Sequence, residues 1–331
     1  MKNSIVSVLA VAATVLTTVG LSAQQQPAES TVLDAASRAL AVESVASVVE
    51  QNYPWPDTAR MIAAHVREQH ASSAYDTIPA LADLARALTR DLRAINGDIH
   101  LAVFSGSPGG PGMMAPGSAG PLTGIDGVER LDGNVGYLKL NILAGESAFD
   151  AVAQALDSLE GTDAMILDLR TVPGGTVQMA NFIVSHFLPP NVLSLYAVSQ
   201  ATGDTTSHVT LSEVPGPRRL DVPLYVLVNG GSASAAEHVP FVLQNFERAT
   251  IVGERTPGAG RNNVLFPAEL GLRVSLSTTR VYDPLSGGGW ERTGVVPDIV
   301  TTSEEALTTA LEHARETIRG TPWSRNRPPA Q

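Results

Sequence analysis

Leu224-Tyr225-Val226-Leu227-Val228-Asn229-Gly230-Gly231-Ser232-Ala233-Ser234-Ala235-Ala236-Glu237 is the stretch that decides the fold. Five apolar residues closed by a turn signal read as a strand buried on both faces. The Gly pair ends that strand, and small residues then open a helix that runs to Phe246. A doubly buried strand feeding a helix belongs to an α/β layer architecture. The same grammar recurs upstream. Ala164 to Leu169 is a second buried strand, Pro173-Gly174-Gly175 a turn, and a helix follows through Phe187. Val135 to Leu140 predicts a strand and Phe149 to Leu159 a helix. Val192 to Val198, Ala249 to Val252 and Leu272 to Val281 predict strands, and Glu304 to Arg319 a terminal helix. Together they predict one α/β core domain over 125–320.

Outward from this core the pattern changes. From Thr31 to Leu101 the apolar period is helical, with Val32, Ala35, Ala36, Leu40, Val42, Val45, Val48 and Val49 at three- and four-residue steps. Asn52-Tyr53-Pro54-Trp55-Pro56 breaks that helix. A second helix is expected from about Asp57 to His70, and a third from about Pro79 to Ile95, stopped by Asn96-Gly97. Residues 24–104 are thus expected to form a small helical domain, with a loose leader over 24–32. Residues 105–124, rich in Gly, Pro, Ser and Met, read as a flexible linker. The Pro- and Arg-rich tail, 321–331, is expected to fray. Residues 1–23 read as a signal peptide: Lys2 supplies the charge, Ile5 to Leu21 the apolar run, and Ala23 a small residue at the cleavage point. The protein is expected to be exported, periplasmic or extracellular, with no stable membrane insertion after cleavage.

The chain has 331 residues, 22 basic against 33 acidic, for a net charge of −11. Apolar residues at 44% and charged residues at 17% exclude a disordered polyelectrolyte, a collagen and a coiled coil. An acidic chain without a broad basic face is not expected to bind nucleic acid, and a strongly acidic substrate is disfavoured. The absence of Cys excludes disulfides, thiolate metal sites, a cysteine nucleophile and a lipid-anchored N-terminal cysteine. Apart from His65 and His70, which are not on one helical face, the histidines are scattered, so no metal or other cofactor is expected. The lysines are only Lys2 and Lys139.

Four strings could carry chemistry. Ser234 sits where a helix N-terminus gathers unpaired N–H groups, beside donors for an oxyanion. Equally, Ser234 with Glu237 fits a capping box and Ser232 an N-cap. Asp168-Leu169-Arg170-Thr171-Val172-Pro173-Gly174-Gly175 ends a strand in a Gly pair that can present N–H groups to an anion, or simply turns the chain. Asn96-Gly97-Asp98-Ile99-His100 places a lone histidine after a helix stop. Gly289-Trp290-Glu291-Arg292-Thr293-Gly294-Val295-Val296-Pro297-Asp298 sets a carboxylate beside Trp290, buried and orienting or merely at the surface.

In this order, the strings resemble the tail-specific, or C-terminal-processing, serine peptidase family. The resemblance rests on Ile166 to Arg170 with Pro173-Gly174-Gly175, on Leu227 to Glu237, on Arg248 to Thr256, and on Gly294 to Asp298. It implies a crotonase/ClpP-like ββα superhelix and Ser234 as nucleophile. The usual lysine base would stand at Ala259, and the inventory of lysines excludes a Ser-Lys dyad. About 34 residues separate His100 from the Val135 strand, roughly 20 of them linker, so an intervening PDZ domain has no room. The departures point to the branch that looks like the tricorn core and the interphotoreceptor retinoid-binding modules. By that resemblance His100 is the general base and Glu291 orients it, while Ala235 and Gly174 or Gly175 hold the oxyanion. Where that branch carries a Ser before the His, this chain has Ile99. The implied substrate is a peptide or unfolded-protein segment; the oligomeric state is not set. The alternative is a non-catalytic binding module for apolar ligands or peptides on the same fold. An acyl-CoA-type activity is a weaker third reading, because few basic residues are available to grip phosphates.

Overall fold

The computed structural model describes residues 33–106 and 124–320. The expected signal peptide, the leader through residue 32, the linker from 107 to 123 and the 321–331 tail lie outside the described residues. Two sheets organise the rest. The first has six strands in the order β11-β8-β7-β4-β3-β2: β2 (Ile125–Leu131), β3 (Val135–Leu140), β4 (Ala164–Asp168), β7 (Leu224–Val228), β8 (Thr250–Gly253) and β11 (Ile299–Val300). The β2–β3 pair is an antiparallel hairpin; every other pairing is parallel.

Alternation along these strands divides the core between the sheet's faces. Leu138, Leu167, Val226 and Val228 pack with the helices α4 (Phe149–Ser158), α5 (Val177–Ser185) and α6 (Ala235–Asn245). Val135, Ile166, Tyr225 and Leu227 pack with α7 (Ala306–Gly320), whose Ala306, Ala310 and Ala314 follow the four-residue step of one helical stripe. Every residue of β4 and β7 is buried: β7 is an unbroken apolar run, and β4 is apolar up to Asp168, whose carboxylate accepts from the Tyr137 hydroxyl and pairs with Arg170.

The second sheet is antiparallel throughout and is built around β10 (Leu272–Tyr282). Strand β9 (Arg261–Pro267) lies along one edge of β10. β1 (Ala102–Ser105) and β5 (Leu193–Ser199) share the other edge, and β6 (Thr205–Val209) pairs with β5. The helices α1 (Ala35–Asn52), α2 (Pro56–Ala71) and α3 (Leu81–Ala94) bury Val45, Ile62 and Leu88 in one cluster with Val103, Val274 and Leu276 of this sheet. Asp34 caps α1 by accepting from the Ser37 N–H at 2.7 Å. Pro56 opens α2 at the position where a missing N–H costs nothing.

Candidate active site

The turn from β7 into α6 uses its polar residues unequally. Ser232 donates to the Leu169 carbonyl and accepts from the Asn229 N–H, both at 2.9 Å. Asn229 Oδ1 accepts from the Gly231 N–H at 2.8 Å and the Thr171 N–H at 3.2 Å. These bonds tie the turn to the neighbouring one at the end of β4. Ser232 is therefore structural, and Ser234 stands at the head of α6, half-buried.

The Ser234 backbone sits at φ 57° and ψ −120°. A serine that serves only as an N-cap takes extended dihedrals; a non-glycine residue held at positive φ is strained by about 1–3 kcal/mol. Gly174, at φ +129°, makes room for it: a Cβ there would lie 3.2 Å from both the Ser234 Cβ and the Ala233 carbonyl oxygen. Among the described residues, no hydrogen bond uses the N–H of Gly174 or of Ala235. Gly175 forms a parallel bridge with Leu143, flanked by bonds of 2.9 and 2.8 Å.

Glu237, one turn into α6, is fully buried and collects four donors. They are the Ser234 N–H at 2.8 Å, the Thr256 hydroxyl at 2.5 Å, and the N–H groups of Gly258 and Ala259, both at 2.7 Å. Burial pushes its pKa up, against the opposing pull of these donors. Glu237 thus fastens the 256–260 strap to the head of α6.

The other half of the site is assembled on the second sheet. The His100 N–H donates to Asp98 Oδ1 at 3.0 Å, and its Nδ1 lies 3.3 Å from the same oxygen. Asp98, fully buried, also accepts from the hydroxyls of Tyr53 at 2.8 Å and Ser277 at 3.0 Å, and pairs with Arg261 at 3.1 Å. Burial alone would raise the Asp98 pKa, but the hydrogen bonds from His100, Ser277 and Tyr53 outweigh it and hold the carboxyl below the usual range. Glu291 accepts from the Gly260 N–H at 2.9 Å and pairs with Arg261 Nε at 3.2 Å. The Arg261 guanidinium lies over the Trp55 ring at 4.7 Å. One ligand atom each of Asp98, His100 and Glu291 lie within 4.8 Å of one another. With Arg261 pairing both carboxylates, this donor set suits holding an imidazole better than holding a cation.

The structure therefore groups His100 with Glu291, and Ser234 with Gly174 and Ala235. Ser234 and His100 share no hydrogen bond, and the buried His100 Nε2 has no hydrogen-bond partner among the described residues. The strap joins the halves: Gly260 and Arg261, which hold Glu291 and Asp98, line one cleft with Ser234, Ala259, His238 and Trp290. Of the residues that build the site, Arg261 lies outside the four strings, Asp98 lies two residues before His100 within its string, and Glu237, read as the capping partner of Ser234, also holds the strap. Lys139 pairs with Asp126 at 2.5 Å, and Arg170 with Asp168 at 2.6 Å.

The sequence profile of peptidase family S41 matches residues 134–301. A second profile, the N-terminal domain of these peptidases in eukaryotic IRBP, matches residues 32–116. A carboxyl-terminal-processing protease of Synechocystis is 35% identical over 169 residues, which are 50% of this chain and 38% of that protein. The chain spans about two fifths of the length of such curated relatives. Among solved structures, a lipoprotein from Streptococcus agalactiae superposes with TM-score 0.59 at 17% identity, over 83% of this chain and 95% of that one. The tricorn protease superposes with TM-score 0.55 at 12% identity, over 86% of this chain and 37% of that one. These two likenesses concern the fold. The family profile takes in both strand-to-helix turns, the strap and Glu291, and the chain belongs to peptidase family S41.

Proposed function

We propose that this protein is an exported serine peptidase that hydrolyses peptide bonds through an acyl-enzyme, with Ser234 as nucleophile and His100 as general base. The observation that carries the reading is the strained Ser234 backbone at the head of α6, packed on Gly174. His100 takes the Ser234 proton as the hydroxyl attacks and later delivers it to the leaving amine. The N–H groups of Ala235 and of Gly174 or Gly175 hold the oxyanion, and losing one such donor costs about 3 kcal/mol in the transition state. Glu291 is an orienting carboxylate; Asp98, nearer to the imidazole, shares that work. Ser234 and His100 share no hydrogen bond, and the reading expects that bond to tighten in the substrate complex, as catalytic hydrogen bonds often do. The parallel βα succession of the first sheet supports a crotonase-like core, and Lys2 with the 5–21 apolar run supports export. The substrate is a peptide or unfolded-protein segment, without nucleic acid.

Fluorophosphonate labelling of the protein at neutral pH, mapped by mass spectrometry, tests this. The expected result is a label on Ser234 that is lost or strongly slowed in His100→Ala. A folded protein with no label on Ser234 overturns the reading in favour of a binding module, with Ser234 reduced to a cap.

A further inference from the structure

Beside Glu291 a cleft of about 340 Å³ is lined by Trp55, Arg261, Arg280, Tyr282 and Arg292. Three arginines on one cleft are a strong local departure in a chain whose net charge is −11. Two of them are engaged. Arg261 pairs with Asp98 at 3.1 Å and Glu291 at 3.2 Å. Arg292 donates to the Asn96 carbonyl at 2.6 Å and reaches Glu291 only at 4.0 Å. Arg280 is exposed, lies over the Tyr282 ring at 5.5 Å, and has no carboxylate partner among the described residues. Asp283, the nearest acid in sequence, is buried and accepts from the Ser286 N–H at 2.7 Å. In the β9–β10 register, Arg280 is the direct partner of Arg261. Like charges directly opposite each other in an antiparallel pair are destabilising. Asp98 and Glu291 answer that cost on the Arg261 side, and an anion at Arg280 would answer it on the other.

We propose that this cleft binds a carboxylate of the peptide substrate, read mainly by the Arg280 guanidinium on its Tyr282 platform. The inference rests on the peptidase reading and names what the enzyme selects in its substrate. The local charge reverses what the acidic chain as a whole suggested. An arginine fork matches a carboxylate in geometry as well as charge. The carboxylate could belong to an Asp or Glu side chain or to the chain terminus, and the two sources separate experimentally.

The test uses fluorogenic peptides in which one Glu is walked through the positions flanking the scissile bond, each matched by its Gln counterpart. Each peptide is made with a free and an amidated C-terminus. A carboxylate at one position should raise kcat/KM about fivefold over its amide, the upper end for an exposed ion pair. The gain should shrink with added salt. Arg280→Gln should bring the acid-to-amide ratio toward one, and Arg280→Lys should restore part of it. A gain from the free terminus alone assigns the site to the chain end; a gain from Glu alone assigns it to a side chain. A ratio of one throughout, or a ratio that survives Arg280→Gln, overturns the proposal. The same peptides are titrated by fluorescence anisotropy onto Ser234→Ala. If no peptide is cleaved but the carboxylate preference persists in binding, the peptidase reading fails and the cleft assignment stands. If binding shows no preference, the cleft assignment fails by itself.

Discussion

At the scale of single residues, Asp98 carries the polar load on the second-sheet side of the site. It bonds the His100 backbone, lies against the imidazole, accepts from Tyr53 and Ser277, and pairs with Arg261. Glu291 instead faces the Gly260 N–H and Arg261. Asp98 is thus the better placed of the two to fix the imidazole tautomer. Asp98→Asn should slow fluorophosphonate labelling by up to on the order of 10⁴, the effect of replacing an orienting aspartate elsewhere. Glu291→Gln should slow it less; the reverse order would return the orienting role to Glu291. A second readout follows from the depressed Asp98 pKa. The folded value lies below the unfolded one of about 3.9. The ionised group therefore contributes stability that is fully present above about pH 4 and is lost as pH falls through the folded pKa. Denaturant unfolding followed against pH should show that acid limb flattened in Asp98→Asn.

At the scale of elements, the 256–260 strap is the piece that sets the two halves of the site against each other. Its attachment to α6 is the Glu237 carboxylate, buried with four donors. A close approach also fixes its far end: a Cβ on Gly260 would fall 2.5 Å from the Glu291 backbone nitrogen. Glu237→Ala leaves those donors buried and unpaired, each at a cost of about 1–3 kcal/mol before relaxation. Thermal unfolding should show a loss of about 3 kcal/mol or more, and labelling of Ser234 should slow in the fraction that still folds. Unchanged labelling would mean that the strap does not position the site. The elements differ in how far sequence revealed them. β7 is an unbroken apolar run and β4 is one up to Asp168, and Ser234 closes the turn that follows β7. β6, with Thr205-Thr206-Ser207-His208-Val209, has almost no apolar signal, and Gly127 interrupts β2. β9 begins Arg261-Asn262-Asn263, and β1 is only four residues long. All four were missed, because half-exposed strands are specified by their partners more than by their own pattern. The grouping of Asp98 with Arg261 was illegible for the same reason: it depends on β1 and β9 flanking β10.

At the scale of the molecule, the site lies where a mainly parallel and an antiparallel sheet meet. The parallel sheet delivers Ser234 and the glycine turn, each at the end of a buried strand. The antiparallel sheet delivers His100 just before β1 and Arg261 at the start of β9. The core between the first sheet and its helices also takes in Leu195, Ala197 and Val281 of the second sheet, and a further cluster joins the second sheet to the three N-terminal helices. Leu88 of α3 is fully buried in that cluster, together with Val274 and Leu276 of β10. The helices therefore bear on the site through β10, although none of the three carries Ser234 or His100. Leu88→Ala should destabilise by about 2–5 kcal/mol, the transfer and cavity cost of a buried leucine. Because the cluster spans helices and sheet, the loss should appear in both: hydrogen exchange at α3 and at β10 should speed up together. Labelling of Ser234 should weaken along the same denaturant curve, since His100 is positioned by that sheet. Faster exchange confined to α3, with β10 and the labelling unaffected, would show instead that the helices form a separate cooperative unit.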